Sequence, residues 1–362
     1  MIGSPSGPSA PGKGSAGGSP AGEDRGRRPS ILVWGAGAIG GSIGASLVRS
    51  GREVLFVDRD ESHVRAMKRS GLRITGPVDA FTVEVEAVTP DRVQGRFDLC
   101  LLCVKSHHTA AALEQLVAHV PETGAVVSVQ NGLCEHWIAE RVGPERTVGA
   151  FVNFGADLLD PGVIHRGNRG ATVVGELDGA LTERIREVHA LIRLFEPDAV
   201  LTDNIFGFLW GKLAYASLLF ATALTDDSIA EVLADEDVRP TLVGLAREAV
   251  TVASAIGVRM ERFDGFDPGA FAPGVFPERA WDCLDDLVRF NRASAKTHSG
   301  IWRGRAVRKR KTEVDAQLGW IVRRGEESGV SVPLTRSVIL QIHEIEAGLR
   351  GLDRKNLREL AS

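Results

Sequence analysis

The sequence predicts an α/β chain in two parts, a doubly wound parallel sheet followed by an all-helical C-terminal domain. Three features lead there. Apolar strand-like runs alternate with helical spacing from Ser30 to about Asn204, a glycine-rich turn follows the first of these runs, and beyond Asn204 the spacing is helical almost throughout. A length of 362 residues exceeds one ordinary domain, and 43% hydrophobic residues suffice for a real core.

In chain order, residues 1–29 are dominated by Gly, Ser, Pro and Ala with almost nothing to bury, which assigns them to a disordered tail. No apolar run of secretory type follows the start, so a cytoplasmic location is expected. Strands are expected at 31–34, 53–58, 82–88, 99–104 and 125–129, with helices over 39–50, through Met67, and over 109–119 between them. The pattern loosens after Gly149, where 162–166 and 171–175 read as strands and 182–195 as a helix. The domain boundary is placed near Asn204, giving a sheet domain over 30–204, a helical domain over 205–352 and a short tail over 353–362. Helices are expected over 206–224, 238–256, 281–293, 311–328 and 334–349, and the Pro and Gly cluster at 264–277 reads as a loop.

A formal net charge of -4 and a pI near 6.2 offer no general attraction to nucleic acid or an anionic membrane, which leaves a small metabolite as the expected partner. Four cysteines are too few for a disulfide framework at this length. Cys100 and Cys103 form a C-x-x-C, but they lie within a strand where positions three apart face opposite sides, so no metal or redox site is expected from them.

Gly35, Gly37 and Gly40 form G-x-G-x-x-G directly after the apolar strand 31–34 and at the start of a helix, the context that a Rossmann-type dinucleotide site requires. The tight turn needs Gly35, close approach of a pyrophosphate needs Gly37, and helix-on-strand packing needs Gly40. The backbone N–H groups of the first turn, at Ala38 and Ile39 among them, would then face the phosphates. Asp58 ends the second strand at the spacing of a ribose-binding acid. It favours the free 2′-hydroxyl of NAD(H), whereas Arg59 beside it suits the 2′-phosphate of NADP(H), and the sequence leaves the two cofactors undecided.

The nineteen residues 206–224 hold a single charged side chain, Lys212. An isolated ammonium among apolar neighbours is expensive without a partner or a task. Desolvation lowers its pKa, which suits an acid protonating a carbonyl oxygen as hydride reaches the carbon, while a bound carboxylate opposes that shift. The competing reading is a stem that is buried while the ammonium snorkels to solvent. A membrane span is disfavoured, since a lysine near its middle costs about 2.5–3.5 kcal/mol and no flanking basic anchor is present.

Taken in order, these motifs resemble the ketopantoate reductase family over roughly residues 30–350. The family reduces 2-dehydropantoate to pantoate with NADPH or, less often, NADH. The resemblance rests on the glycine turn, Arg59, Cys103-Val-Lys105, Gln130-Asn131-Gly132, Trp210-Gly-Lys212-Leu and Lys311-Thr-Glu313-Val. It implies Lys212 as catalytic acid and base, Glu313 acting at the nicotinamide end, Lys105 beside the cofactor, and Asn131 contacting cofactor and substrate. It also implies a homodimer through the helical domain. Family asparagines four and eight residues after the lysine are replaced here by Ala216 and Phe220, which raises an alternative substrate, a less polar ketone or an imine. The segment 296–302 stands where the family has a substrate loop, with Ser299 as its serine and His298 beside it. Tyr215 is expected in the core. The basic run Arg303, Arg305, Arg308, Lys309, Arg310 and Lys311 reads as a solvated helix face or as an attractor of anions. A non-catalytic nucleotide sensor is the reading from another class.

Overall fold

The computed structural model describes residues 30–293, 297–302 and 311–360. The expectations for the tail 1–29 and for Arg303, Arg305, Arg308, Lys309 and Arg310 lie outside the described residues.

The first half runs β1 (Ile31–Trp34), α1 (Ala38–Arg49), β2 (Val54–Val57), α2 (Glu61–Ser70), β3 (Leu72–Thr75), β4 (Phe81–Val83), β5 (Glu86–Val88), β6 (Leu99–Leu102), α3 (Thr109–Leu116), β7 (Ala125–Ser128), α4 (Cys134–Val142), β8 (Thr147–Val152), β9 (Gly155–Asp160), β10 (Val163–Asn168), β11 (Thr172–Glu176), α5 (Glu183–Ile192) and β12 (Val200–Leu201). The second half runs α6 (Ile205–Thr222), α7 (Ile229–Ala234), α8 (Arg239–Ala255), α9 (Pro277–Ala293), the single turn α10 (Gly300–Trp302), α11 (Val314–Ser328), α12 (Pro333–Glu346) and α13 (Arg354–Glu359).

The main sheet has the order β12-β11-β8-β7-β6-β1-β2-β5. From β8 to β5 every pairing is parallel. Strands β1, β6, β7 and β8 are buried along their whole length, as strands covered on both faces must be. The expectation of a wholly parallel sheet needs correcting at one edge, where β11 runs antiparallel to β8. The chain between them makes the hairpin β9–β10 and no helical crossover, so it returns in the opposite sense. That hairpin joins β3 and β4 in a second, four-stranded sheet which the sequence reading did not foresee. The strand expected over 82–88 accordingly divides into β4 and β5, one in each sheet.

Asn204 marks the change from sheet to helices. Its side chain accepts from the Gly207 N–H to cap α6 and donates to the Arg259 carbonyl and the Glu261 carboxylate. Helix α6 packs on the sheet because β8 and β11 present Gly149 and Gly175 to Ile205, where any side chain would collide. By length and composition α6 is apolar enough to cross a membrane, but most of it is buried against the rest of the protein. The short tail expected over 353–362 also needs correcting. Asp353 caps α13, and Asn356, fully buried, donates to the carbonyls of Leu224 and Gly351 while Leu357 and Leu360 enter the core.

Candidate active site

The glycine turn is built as its sequence requires. Gly35 has φ of 102°, and a Cβ on it would lie 2.8 Å from the Val104 nitrogen. A Cβ on Gly40 would lie 2.2 Å from the Gly35 carbonyl and 2.8 Å from Cys103 Cβ, so only hydrogen lets α1 seat on the sheet. Gly37 differs, because a Cβ there would meet nothing within 4 Å. It opens α1 without a side-chain cap, and no acidic residue stands in the first turn. The first-turn N–H groups of Ala38, Ile39 and Gly40 thus stand at the positive end of a helix beside open space at Gly37, which fits a pyrophosphate. Beneath the turn, buried His63 bridges two segments: it accepts from the Gly162 N–H at Nδ1 and donates from Nε2 to the Ala36 carbonyl.

Asp58 follows β2, and one carboxylate oxygen accepts from the Asp60 N–H at 2.9 Å. Arg59 next to it is exposed. This corner therefore carries one group for each nicotinamide cofactor.

Lys212 is part-buried on α6, and its ammonium donates to Asn131 Oδ1 at 2.8 Å and to the Val152 carbonyl. The Phe151 ring lies 5.4 Å away and offers a π face to the cation. Asn131 sits in the turn after β7 and Val152 ends β8, so both partners come from the carboxyl edge of the parallel sheet, where such folds bind ligands. Burial drives the Lys212 pKa down from 10.5 to about 8. Lys105 adds to this, while Glu313, Glu135 and Asp264 oppose it.

Glu313 is not the surface acid that a helix start would suggest. Its side chain is 9% exposed. Instead of capping α11, it accepts from Lys105 Nζ at 2.8 Å and from the Ser106 N–H and hydroxyl at 2.8 and 2.6 Å. Burial pushes this carboxyl up, but the charge and hydrogen bond of Lys105 and the two Ser106 bonds outweigh it and leave the pKa below the ordinary value. Gly132, with φ of 93°, brings the Asn131 turn against α11, where a Cβ would lie 2.3 Å from the Ala316 carbonyl.

The structure therefore brings together Lys105, Asn131, Lys212 and Glu313, side chains separated by up to 208 positions in the chain. Ala216 lies one helical turn beyond Lys212. Phe220, His298 and Ser299 make no hydrogen bond to these four side chains. Phe220 is 0% exposed within the helical core. His298 pairs with the Asp226 carbonyl and lies against Trp302, and buried Ser299 accepts from the Trp302 N–H. His298 is thereby tied to the loop after α6, and the turn α10 that follows Ser299 packs against α6 itself. Tyr215 packs against Phe263 and Phe266 in the core, as expected.

Cys100 and Cys103 lie in different core clusters on opposite sides of the sheet. Ser106, the Val152 carbonyl and the Phe151 ring were missed by sequence reasoning, and no local pattern distinguishes them. Asp264 was passed over as loop. It is the one non-glycine with positive φ among the described residues, and it accepts from Asn153 and from the Ala171 N–H. Positive φ in a residue other than glycine is a signal that only coordinates reveal.

With this geometry in place, comparison with known proteins is informative. The family described as ketopantoate reductase PanE/ApbA matches residues 31–179, and its C-terminal counterpart matches 204–346. A 2-dehydropantoate 2-reductase of Mesorhizobium japonicum is 27% identical over 325 residues, covering 83% of this chain and 98% of that protein. The 2-dehydropantoate 2-reductase of Pyrococcus abyssi is 29% identical over 84% of this chain and 93% of its own length. Among solved structures, the 2-dehydropantoate 2-reductase of Geobacter metallireducens superposes with a TM-score of 0.76 at 25% identity, over 87% of this chain and 99% of that one. Matched through both its sheet and its helices, the chain belongs to the ketopantoate reductase family.

Proposed function

We propose that this chain is an NAD(P)H-dependent reductase of a small 2-keto acid, converting 2-dehydropantoate to pantoate or acting on a close relative of it. The observation that carries the reading is the state of Lys212. An ammonium has three N–H donors, and two are taken by Asn131 and Val152. The third remains for a ketone oxygen. When bound, NAD(P)H supplies the hydride that reduces the ketone carbon.

The chain's own residues do the rest. The turn of Gly35, Gly37 and Gly40 with the N–H groups of Ala38 and Ile39 holds the pyrophosphate, Asp58 and Arg59 take the ribose end, and Lys105, Asn131 and Glu313 border the nicotinamide end. Lys212 donates a proton at the ketone oxygen, leaves as a neutral amine and recovers its proton from solvent. Asn131 and Val152 hold the amine in place so that little orientation is lost on reaction. Ala216 borders the substrate. The reading of a different, less polar substrate rested on Ala216 and Phe220 together, and burial of Phe220 removes half of that support. The relatives named above are also reductases of 2-dehydropantoate.

A depressed lysine pKa sets the pH profile. Reduction requires the ammonium, so kcat/KM with saturating cofactor should stay level on the acid side and fall tenfold per unit above about 8. Oxidation of the alcohol requires the neutral amine and should rise through the same region. A reduction rate that still climbs beyond this point would exclude Lys212 as the acid.

The ribose corner gives a second expectation. Arg59→Ala should weaken NADPH binding about tenfold and leave NADH nearly unchanged, because the guanidinium pairs only with a 2′-phosphate. Parallel titrations check it, and equal losses for both nucleotides would contradict the assignment.

We also place the enzyme in the cytoplasm, as a biosynthetic reductase, and assemble it as a homodimer through the helical half. Exposed Phe276, Trp281 and Phe290, at and just before α9, support that interface. Sedimentation of the purified chain as a monomer at micromolar concentration would reject the dimer.

A further inference from the structure

Glu135 stands in the first turn of α4, four residues after the asparagine that holds Lys212. Its exposure is 0%, and neither carboxylate oxygen has a hydrogen-bond partner of ordinary geometry. The Ser128 hydroxyl, also buried, is the polar side chain beside it and has no partner of ordinary geometry. A carboxylate in such a place is costly unless it is protonated or sits in the field of a cation. The charged group that acts on it is Lys212.

Three carboxylates bear on the Lys212 ammonium, and they differ in what else holds them. Glu313, from the segment before α11, is neutralised by Lys105 and bonded by Ser106. Asp264, from the loop after α8, is committed to Asn153 and the Ala171 N–H. Glu135, from α4, has no hydrogen bond of ordinary geometry, and its charged partner is Lys212. Lys105, following β6, opposes the ammonium by repulsion. The buried carboxylate that acts on Lys212 with neither a second cation nor a hydrogen-bond partner of ordinary geometry is therefore Glu135.

We propose that Glu135 is a positioning residue for Lys212, a buried counter-charge that keeps its ammonium protonated at neutral pH without touching the substrate. This rests on Lys212 being the proton donor. Burial pushes Glu135 up to about 7, with its own backbone N–H, Ser128 and Lys212 drawing it back, so acid and amine titrate close together and influence each other. Above about 7 the carboxylate is ionised while Lys212 is still largely protonated, and removing its charge must make Lys212 lose its proton more readily.

The test follows the Lys212 side chain directly, by NMR of selectively labelled lysine assigned through Lys212→Arg, alongside the pH profile of kcat/KM. In Glu135→Gln the Lys212 titration and the alkaline limb of the reduction profile should both move down by about one pH unit, with rates near pH 6 unchanged. The wild-type Lys212 resonance should also carry a second inflection at about 7 from its neighbour. Should Glu135→Gln fail to fold, Glu135→Met removes the same charge with an apolar chain of similar volume and should give the same shift. A Lys212 titration that is single-step in the wild type and unmoved in the folded variants overturns the proposal. If the resonance moves while the activity limb does not, the coupling of Glu135 to Lys212 stands and it is the role of Lys212 as proton donor that falls.

Discussion

Replacing Lys212 with alanine should lower kcat/KM for ketone reduction by about 10²- to 10⁴-fold while leaving cofactor affinity nearly unchanged. The size follows from what the side chain supplies. As hydride arrives, negative charge gathers on the ketone oxygen in a partly desolvated site, and a lysine with a pKa of about 8 is well matched to neutralise it near physiological pH. The separation of effects follows from position: Lys212 is held by Asn131 and Val152 on the substrate side of the sheet edge, while the phosphates belong to the turn at Gly35, Gly37 and Gly40. Steady-state rates with 2-dehydropantoate and a panel of 2-keto acids, together with nucleotide titrations, check both halves. A variant that loses nucleotide binding to the same degree as turnover would mean that Lys212 is holding the fold together.

The second large effect is expected at Gly40. A methyl group there collides with the Gly35 carbonyl at 2.2 Å, a backbone atom that moves only if the turn opens, so Gly40→Ala should cost about 2 kcal/mol or more in stability. The displaced turn withdraws N–H groups from the phosphates. Hydrogen bonds to charged groups contribute about 1.5–3 kcal/mol each, and losing one weakens nucleotide binding by about 10- to 100-fold. Gly37→Ala is the informative contrast. With nothing within 4 Å and an ordinary φ of -67°, it should leave thermal stability within about 0.5 kcal/mol yet weaken the nucleotide, because the methyl stands where the pyrophosphate must approach. Calorimetry and nucleotide titration on the two variants separate packing from binding. Equal stability losses in both would refute the distinct roles given to the two glycines.

The parts of this molecule that were legible in the sequence are those whose cause is local. The glycine turn announces itself because strand, turn and helix are contiguous, and Lys212 stands out because one charge in an apolar helix is anomalous in composition alone. Helices with strong periodicity, such as α8 and α11, fall within a few residues of their expected limits. What was not legible is non-local. The second sheet pairs short, half-exposed strands from residues 72–83 with 155–168, and no periodicity survives in segments so brief. The tail after residue 352 reads as polar, yet Asn356 is fixed by a carbonyl, that of Leu224, which the chain supplies more than a hundred positions earlier.

The same limit shaped the site. Glu313 was placed at the site only by the resemblance, because its partners, Lys105 and Ser106, are about two hundred residues distant. Glu135 drew no notice, since a glutamate opening a helix is usually solvated, and only its complete burial makes it unusual. Phe220 was placed near the substrate by the resemblance alone, and its complete burial among the helices is a property of the packed core that no local pattern reveals.

Chemical rescue probes the proton donor most directly. Lys212→Ala should be stimulated by small primary amines such as ethylamine, with a rate that follows the concentration of the ammonium form and saturates as the vacated space fills. Full turnover by that variant with no amine present, at the wild-type rate across the pH range, would show that the proton comes from elsewhere.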